Sequence, residues 1–119
     1  MSYVNSPTAD KSFEFAIDII KTYKNLVFQK KEFVLSKQLL RSGTAVGALI
    51  REAQNAESKK DFIHKLGISQ KECDESLYWI DLLMATEYIT EESYNKLNRD
   101  CTQILKMIKR SIITAKSNL

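Results

Sequence analysis

Apolar residues recur along this chain at helical spacing in four successive tracts, separated by short polar breaks. The first, from about residue 12 to 29, carries Phe13, Ala16, Ile17, Ile20, Tyr23 and Val27 on one broad stripe. The polar run Gln29-Lys30-Lys31-Glu32 ends it. A second tract, 33 to 56, repeats Leu35, Leu39, Ser42, Val46, Leu49 and Ala53 in alternating steps of four and three. The third, 58 to 86, keeps the same rhythm through Phe62, Leu66, Ser69, Cys73, Ser76, Ile80 and Leu83. The fourth, 90 to 116, carries Tyr94, Leu97, Cys101, Ile104, Ile108 and Ile112. Ser58 and Thr90 stand where N-caps belong, each followed by acidic residues that favour a helix start. Connections of a few residues leave antiparallel neighbours, so the pattern predicts one all-α domain, an up-down-up-down four-helix bundle.

Composition agrees with that reading. The 119 residues are 44% hydrophobic and 28% charged, with three Gly and one Pro. Pro7 lies in the polar leader, so no proline interrupts the four tracts. A chain of this length can build one core without disulfide or metal staples. Cys73 and Cys101 have no metal-ligand spacing and are expected as free core thiols. No segment reaches the run of about 18 apolar residues that a bilayer span needs, and no basic-then-apolar export signal opens the chain. A cytoplasmic protein without membrane contact is the expectation.

Two helices carry more apolar surface than one core uses. On the second, Leu40 is expected to point away from the seam, with Gly43, Gly47 and Ile50 along one flank; on the third, Ile68, Trp79 and Leu82 form a flank and Tyr78 lies nearly opposite the seam. Glycine inside a helix costs about 1 kcal/mol relative to alanine, a cost that close approach of another backbone explains. These eight residues are the candidate surface for self-association.

Net charge is +3, but it is unevenly laid out. Residues 21–41 carry six basic groups against Glu32, and 96–119 carry six against Asp100, whereas 42–95 carry ten acidic groups against five basic ones. Lys21, Lys24, Lys30, Lys31, Lys37 and Arg41 cluster around the first hairpin; Lys96, Arg99, Lys106, Lys109, Arg110 and Lys116 line the last helix. First and last helices are neighbours in a simple bundle, so these groups are expected to form one continuous basic face for RNA or DNA. Such contact is phosphate-directed and weakened by salt. The sequence offers no exposed aromatic ladder for stacking bases and no helix-turn-helix signature.

The pieces Gln38-Leu39-Leu40-Arg41-Ser42, Gly47 to Gln54, Asp61 to Leu66, and Glu72 with Glu75-Ser76-Leu77-Tyr78-Trp79 together resemble a bacterial four-helix-bundle family. It includes proteins encoded in intervening sequences of large-subunit ribosomal RNA genes. The resemblance implies a ring-like homopentamer, and a related member, the accessory protein of diversity-generating retroelements, implies a basic barrel that engages nucleic acid and a reverse transcriptase. Where that family tends to carry Ser and Asn on the second helix, this chain has Ala45 and Leu49, so a polar site becomes packing. Arg41, Glu52, Glu72 and Glu75 remain for pairing between helices or subunits.

Catalytic constellations are absent from the pattern. His64, the single histidine, follows Asp61 at a spacing that echoes di-iron bundles, but Phe62 and Leu66 claim the inward face and no second such motif exists. Gly43, Gly47 and Gly67 sit inside helices, so none forms a phosphate loop. The sequence therefore predicts no enzyme, no metal and no cofactor. It predicts a homo-oligomeric bundle that binds RNA or assists a nucleic-acid enzyme, or alternatively a structural adaptor for another protein whose charge only solubilises it.

Overall fold

A computed structural model describes residues 6 to 118. Four α-helices follow one another: α1 (Ser6–Phe28), α2 (Leu35–Gln54), α3 (Lys59–Ala85) and α4 (Glu91–Ser117). α1 packs on α2 and α4, and α3 packs on the same two; neither diagonal pair comes into close backbone contact. The result is the up-and-down bundle the four tracts predict, 47 Å long and about 20 Å across.

Local chemistry sets the ends. Ser58 Oγ accepts the Asp61 amide at 3.1 Å, and the Asp61 carboxylate accepts the Glu57 amide at 3.2 Å, a reciprocal cap on α3. Thr90 Oγ1 accepts the Ser93 amide at 3.1 Å and starts α4. α1 begins six residues earlier than its apolar stripe suggests, because Pro7 falls in the first turn, where a missing N–H costs nothing. α2 has no side-chain cap from Val34. Glu32 supplies one instead: its carboxylate accepts the amides of Val34, Leu35 and Ser36 at 3.2, 3.1 and 2.7 Å.

The core seams of α3 and α4 fall where the periodicity puts them. Phe62, Leu66, Ser69, Cys73, Ser76, Ile80 and Leu83 are all buried, as are Leu97, Cys101, Ile104 and Ile108. The other two helices are rotated from expectation. In α1 the buried line is Thr8, Ser12, Phe15, Ile19 and Leu26. The predicted stripe of Phe13, Ile17 and Ile20 faces outward instead. In α2 the buried line is Ser36, Leu39, Ser42, Gly43, Val46, Ile50 and Ala53. Leu49, expected on the seam, is half-buried beside it.

Serines let α2 and α3 come close. Ser76 donates to Ser42 Oγ at 2.9 Å and Ser69 donates to the Val46 carbonyl at 2.9 Å, so these buried hydroxyls are satisfied within the core. On the α1 side, Gly43 performs the same service: a Cβ there would stand 2.7 Å from Ile19 Cγ1.

Candidate nucleic-acid interface and outer apolar faces

The geometry divides the basic residues into two groups. α4 runs antiparallel to α1, with Lys96 paired to Asp18 at 2.8 Å and Lys11 to Asp100 at 3.4 Å. Lys106, Lys109 and Arg110, further along α4, therefore lie towards the end of the bundle that holds the start of α1. Lys96 and Lys109 are separated by about 20 Å of helix. Lys21, Lys24, Lys30, Lys31 and Lys37 gather at the other end, around the α1–α2 turn. The single continuous face expected over α1 and α4 is thus two patches at opposite ends, because antiparallel packing sets the lysine-rich C-terminal halves of the two helices apart.

Two of the candidate cations are engaged in holding helices together, and a third pairs within its own helix. Arg41 of α2 donates to Glu72 at 3.0 Å and also to Glu75 on α3. Lys96 bridges Asp18 and Asp100, each at 2.8 Å, which raises its pKa above the ordinary lysine value. Burial alone would raise the Asp100 pKa, but Lys96 and Lys11 outweigh it and hold the carboxyl below its usual range. Arg99 adds a longer contact to Asp100 at 3.8 Å. By contrast, Lys21, Lys24, Lys30, Lys31, Lys37, Lys106, Lys109 and Arg110 are exposed and make no ion pair among the described residues.

Glu32 is the sole acidic residue between Lys21 and Arg41. Partial burial pushes its pKa up, and the amides of Ser36, Leu35 and Val34 more than reverse that, leaving it lowered. Its charge is therefore committed to the positive end of the α2 dipole. The acidic groups Glu87, Glu91 and Glu92 sit at the α3–α4 corner, which the up-and-down order places at the same end of the bundle as the α1–α2 turn.

The candidate self-association residues are redistributed. Ile50 is fully buried in the core, and Gly43 is buried against Ile19, so neither is exposed on the single chain. Gly47 lies against Ser12 of α1, whose carbonyl and hydroxyl oxygens would be 3.3 Å from a Cβ. The glycines thus serve the α1–α2 packing within one chain. Leu40, expected to point outward, is half-buried against the core, and so is Trp79. Ile68 and Leu82 are half-buried, and Tyr78 is exposed with its ring in edge contact with Trp79 at 5.1 Å.

The larger outer apolar face belongs to α1, which the sequence reading assigned to the core. Phe13, Ile17 and Ile20 are all exposed. Phe13 and Ile20, with Ala9, Ala16, Gly47 and Ala48, line an open groove of about 870 Å³ between α1 and α2. Its rim carries Asp10, Glu14, Arg51 and Glu52. The signal for this face was present in the sequence: a stripe more apolar than the Ser12 and Thr8 line beside it.

Cys73 and Cys101 are free and buried side by side, Cys101 Sγ lying 3.5 Å from the Cys73 carbonyl oxygen. The hydrogen bond with Cys101, and then burial, push the Cys73 thiol well above the usual range, so it stays protonated. His64 is exposed, and no group of three His, Cys, Asp or Glu side chains is gathered for a metal among the described residues. None of the described helices is long and apolar enough to cross a membrane.

Comparison with known proteins places this architecture. The family model for the 23S rRNA-intervening sequence protein matches residues 5–110. The chain belongs to that family. A crystal structure of a protein of unknown function from the S23 ribosomal protein family of Bacteroides thetaiotaomicron VPI-5482 is 54% identical. The match covers 88% of this chain and 94% of that one, with a TM-score of 0.87. A search of curated proteins found no match.

Proposed function

We propose that this member of the 23S rRNA-intervening sequence protein family is a non-enzymatic, self-associating bundle that contacts RNA through the basic end formed by the α1–α2 hairpin. One observation carries the reading. Five exposed lysines, Lys21, Lys24, Lys30, Lys31 and Lys37, surround a turn whose single carboxylate, Glu32, is held by backbone amides. Exposed cations that make no ion pair among the described residues, gathered on one helical hairpin, are what a polyphosphate backbone requires. The family's connection with ribosomal RNA makes RNA the favoured polyanion over DNA.

Self-association rests on the outer face of α1. A stripe containing Phe13, Ile17 and Ile20 beside a groove floored by alanine and glycine suits a helix of another copy, since small residues permit close approach. The homopentamer that the family resemblance implies would repeat the lysine-rich end five times and raise avidity for a long RNA. A second reading follows from the same stripe: it could equally seat a different protein, for instance a nucleic-acid enzyme, and make this chain an adaptor.

Light scattering behind a sizing column, run with and without a mixed RNA pool at low and high salt, separates these readings. An oligomer that shifts with RNA only at low salt supports the proposal. An oligomer indifferent to RNA favours the adaptor, and a monomer removes the role given to the α1 face.

A further inference from the structure

The α1–α2 turn carries large apolar side chains as well as lysines. Phe28, the last residue of α1, is 64% exposed; Phe33 and Val34, before α2, are 51% and 71% exposed. The sequence offers no aromatic ladder, but the structure sets two exposed rings beside the basic residues. Periodicity had placed Phe28 and Phe33 at the ends of tracts, where it says nothing about burial.

The turn that presents them is closed by several hydrogen bonds. The Lys30 amide donates to the Asn25 carbonyl at 3.2 Å and the Glu32 amide to the Leu26 carbonyl at 2.9 Å. Lys31, at φ 57°, takes the left-handed conformation that reverses the chain. Glu32 then fixes the first turn of α2. Both rings are thus offered from a defined backbone, more than half exposed among the described residues.

Cations are interleaved with the rings. Lys24 lies one helical turn before Phe28 on the same stripe of α1, Lys30 and Lys31 fall between the two rings, and Lys37 follows Phe33. Flat apolar rings set among unpaired cations match a ligand that has flat apolar faces and regularly spaced negative charge. An unpaired polynucleotide has both; a duplex hides its base faces. A lipid surface fits less well, because the α1 stripe leading from Phe28 continues through Lys24 and Lys21, leaving no unbroken apolar helix face to embed.

We infer that the α1–α2 turn is a site for single-stranded RNA, with Phe28 and Phe33 stacking on unpaired bases while Lys24, Lys30, Lys31 and Lys37 hold the flanking phosphates. This inference rests on the RNA-contacting role proposed above and specifies which form of RNA the site selects. The rings supply sequence-tolerant affinity, and the lysines supply the salt dependence.

The test uses the full chain and two labelled probes, a single-stranded oligouridylate of about a dozen nucleotides and a blunt RNA duplex with the same number of phosphates. Wild-type protein should bind the single strand more tightly than the duplex. The Phe28→Leu, Phe33→Leu double variant keeps apolar bulk without a stacking face. It should lose about fivefold or more in single-strand affinity, with duplex affinity and salt slope unchanged. Phe28→Trp should restore single-strand binding in the Phe33→Leu background. Circular dichroism and sizing confirm that the variants keep fold and assembly. Equal binding of both probes, untouched by the leucine variants, overturns the stacking inference while leaving phosphate-directed RNA contact intact. Binding to neither probe overturns both. Leucine variants that change the assembly size, or wild-type protein that prefers vesicles of anionic lipid to either RNA, reassign the turn to self-association or to a membrane surface and overturn the inference.

Discussion

Ile19 of α1 rests on the bare backbone of Gly43 in α2: a Cβ at position 43 would meet three Ile19 carbons at 2.7 to 2.9 Å. Ile19 is fully buried and has no open side to retreat to. Gly43→Ala should therefore destabilise the fold by about 1–3 kcal/mol, the usual cost of overpacking, despite alanine's better helix propensity. Gly67 supplies the control. Nothing lies within 4 Å of its added Cβ, so Gly67→Ala should stabilise by about 0.5–1 kcal/mol. Urea midpoints at constant m-value read both, and adding Ile19→Val to Gly43→Ala should recover part of the loss.

A parallel argument holds across α2 and α3. Ser76→Ala leaves Ser42 without its donor partner but with the Leu39 carbonyl 3.5 Å away, and should cost about 1 kcal/mol. The Ser42→Ala, Ser76→Ala double variant removes both polar atoms together. It should cost less than the two single variants added, a coupling that a double-mutant cycle in urea measures.

Acid stability should report on Glu32. Its folded pKa is lowered below the unfolded value, so the stabilisation it gives is complete above the unfolded pKa and is lost as pH falls through the folded one. Glu32→Gln should lower stability at neutral pH by about 1 kcal/mol, the typical worth of a helix cap, and flatten the acid limb of the stability profile. Thermal melts from pH 7 down to the acid transition compare the two proteins; identical profiles would mean the cap bonds add nothing.

For the outer face of α1, Phe13→Glu and Ile17→Glu should leave helicity and melting of the single chain nearly unchanged while reducing the assembled mass. Ile50→Glu, by contrast, places a charge in a fully buried position and should unfold the chain. Light scattering and circular dichroism distinguish the two behaviours.

How much of this was legible beforehand depends on the helix. α3 carries a second apolar flank, but its heptad line and that of α4 run unbroken, so Phe62 through Leu83 and Leu97 through Ile108 could be read directly as core. α1 has two competing lines, and the more apolar one, Phe13, Ile17 and Ile20, lies outside because Ser12 and Ile19 fit the close approach of α2 at Gly47 and Gly43. Side-chain hydrophobicity records transfer from water, not whether the covering surface belongs to the same chain. In α2 the stepwise heptad pattern favours Leu49, but packing on both α1 and α3 turns Ile50 inward. The basic residues were legible as clusters; their division between opposite ends was not, since it follows from antiparallel direction and from ion pairs, such as Lys96 with Asp18, that join residues distant in sequence.

The proposed RNA contact is tested most directly by titrating a single-stranded RNA at several salt concentrations with wild-type protein and with the Lys30→Glu, Lys31→Glu variant. The account predicts wild-type affinity that falls steeply and linearly in log-log form with salt, and a reversed-charge variant that binds far more weakly with a shallower slope. Absent binding, affinity indifferent to salt, or a variant that binds as wild type does would contradict it.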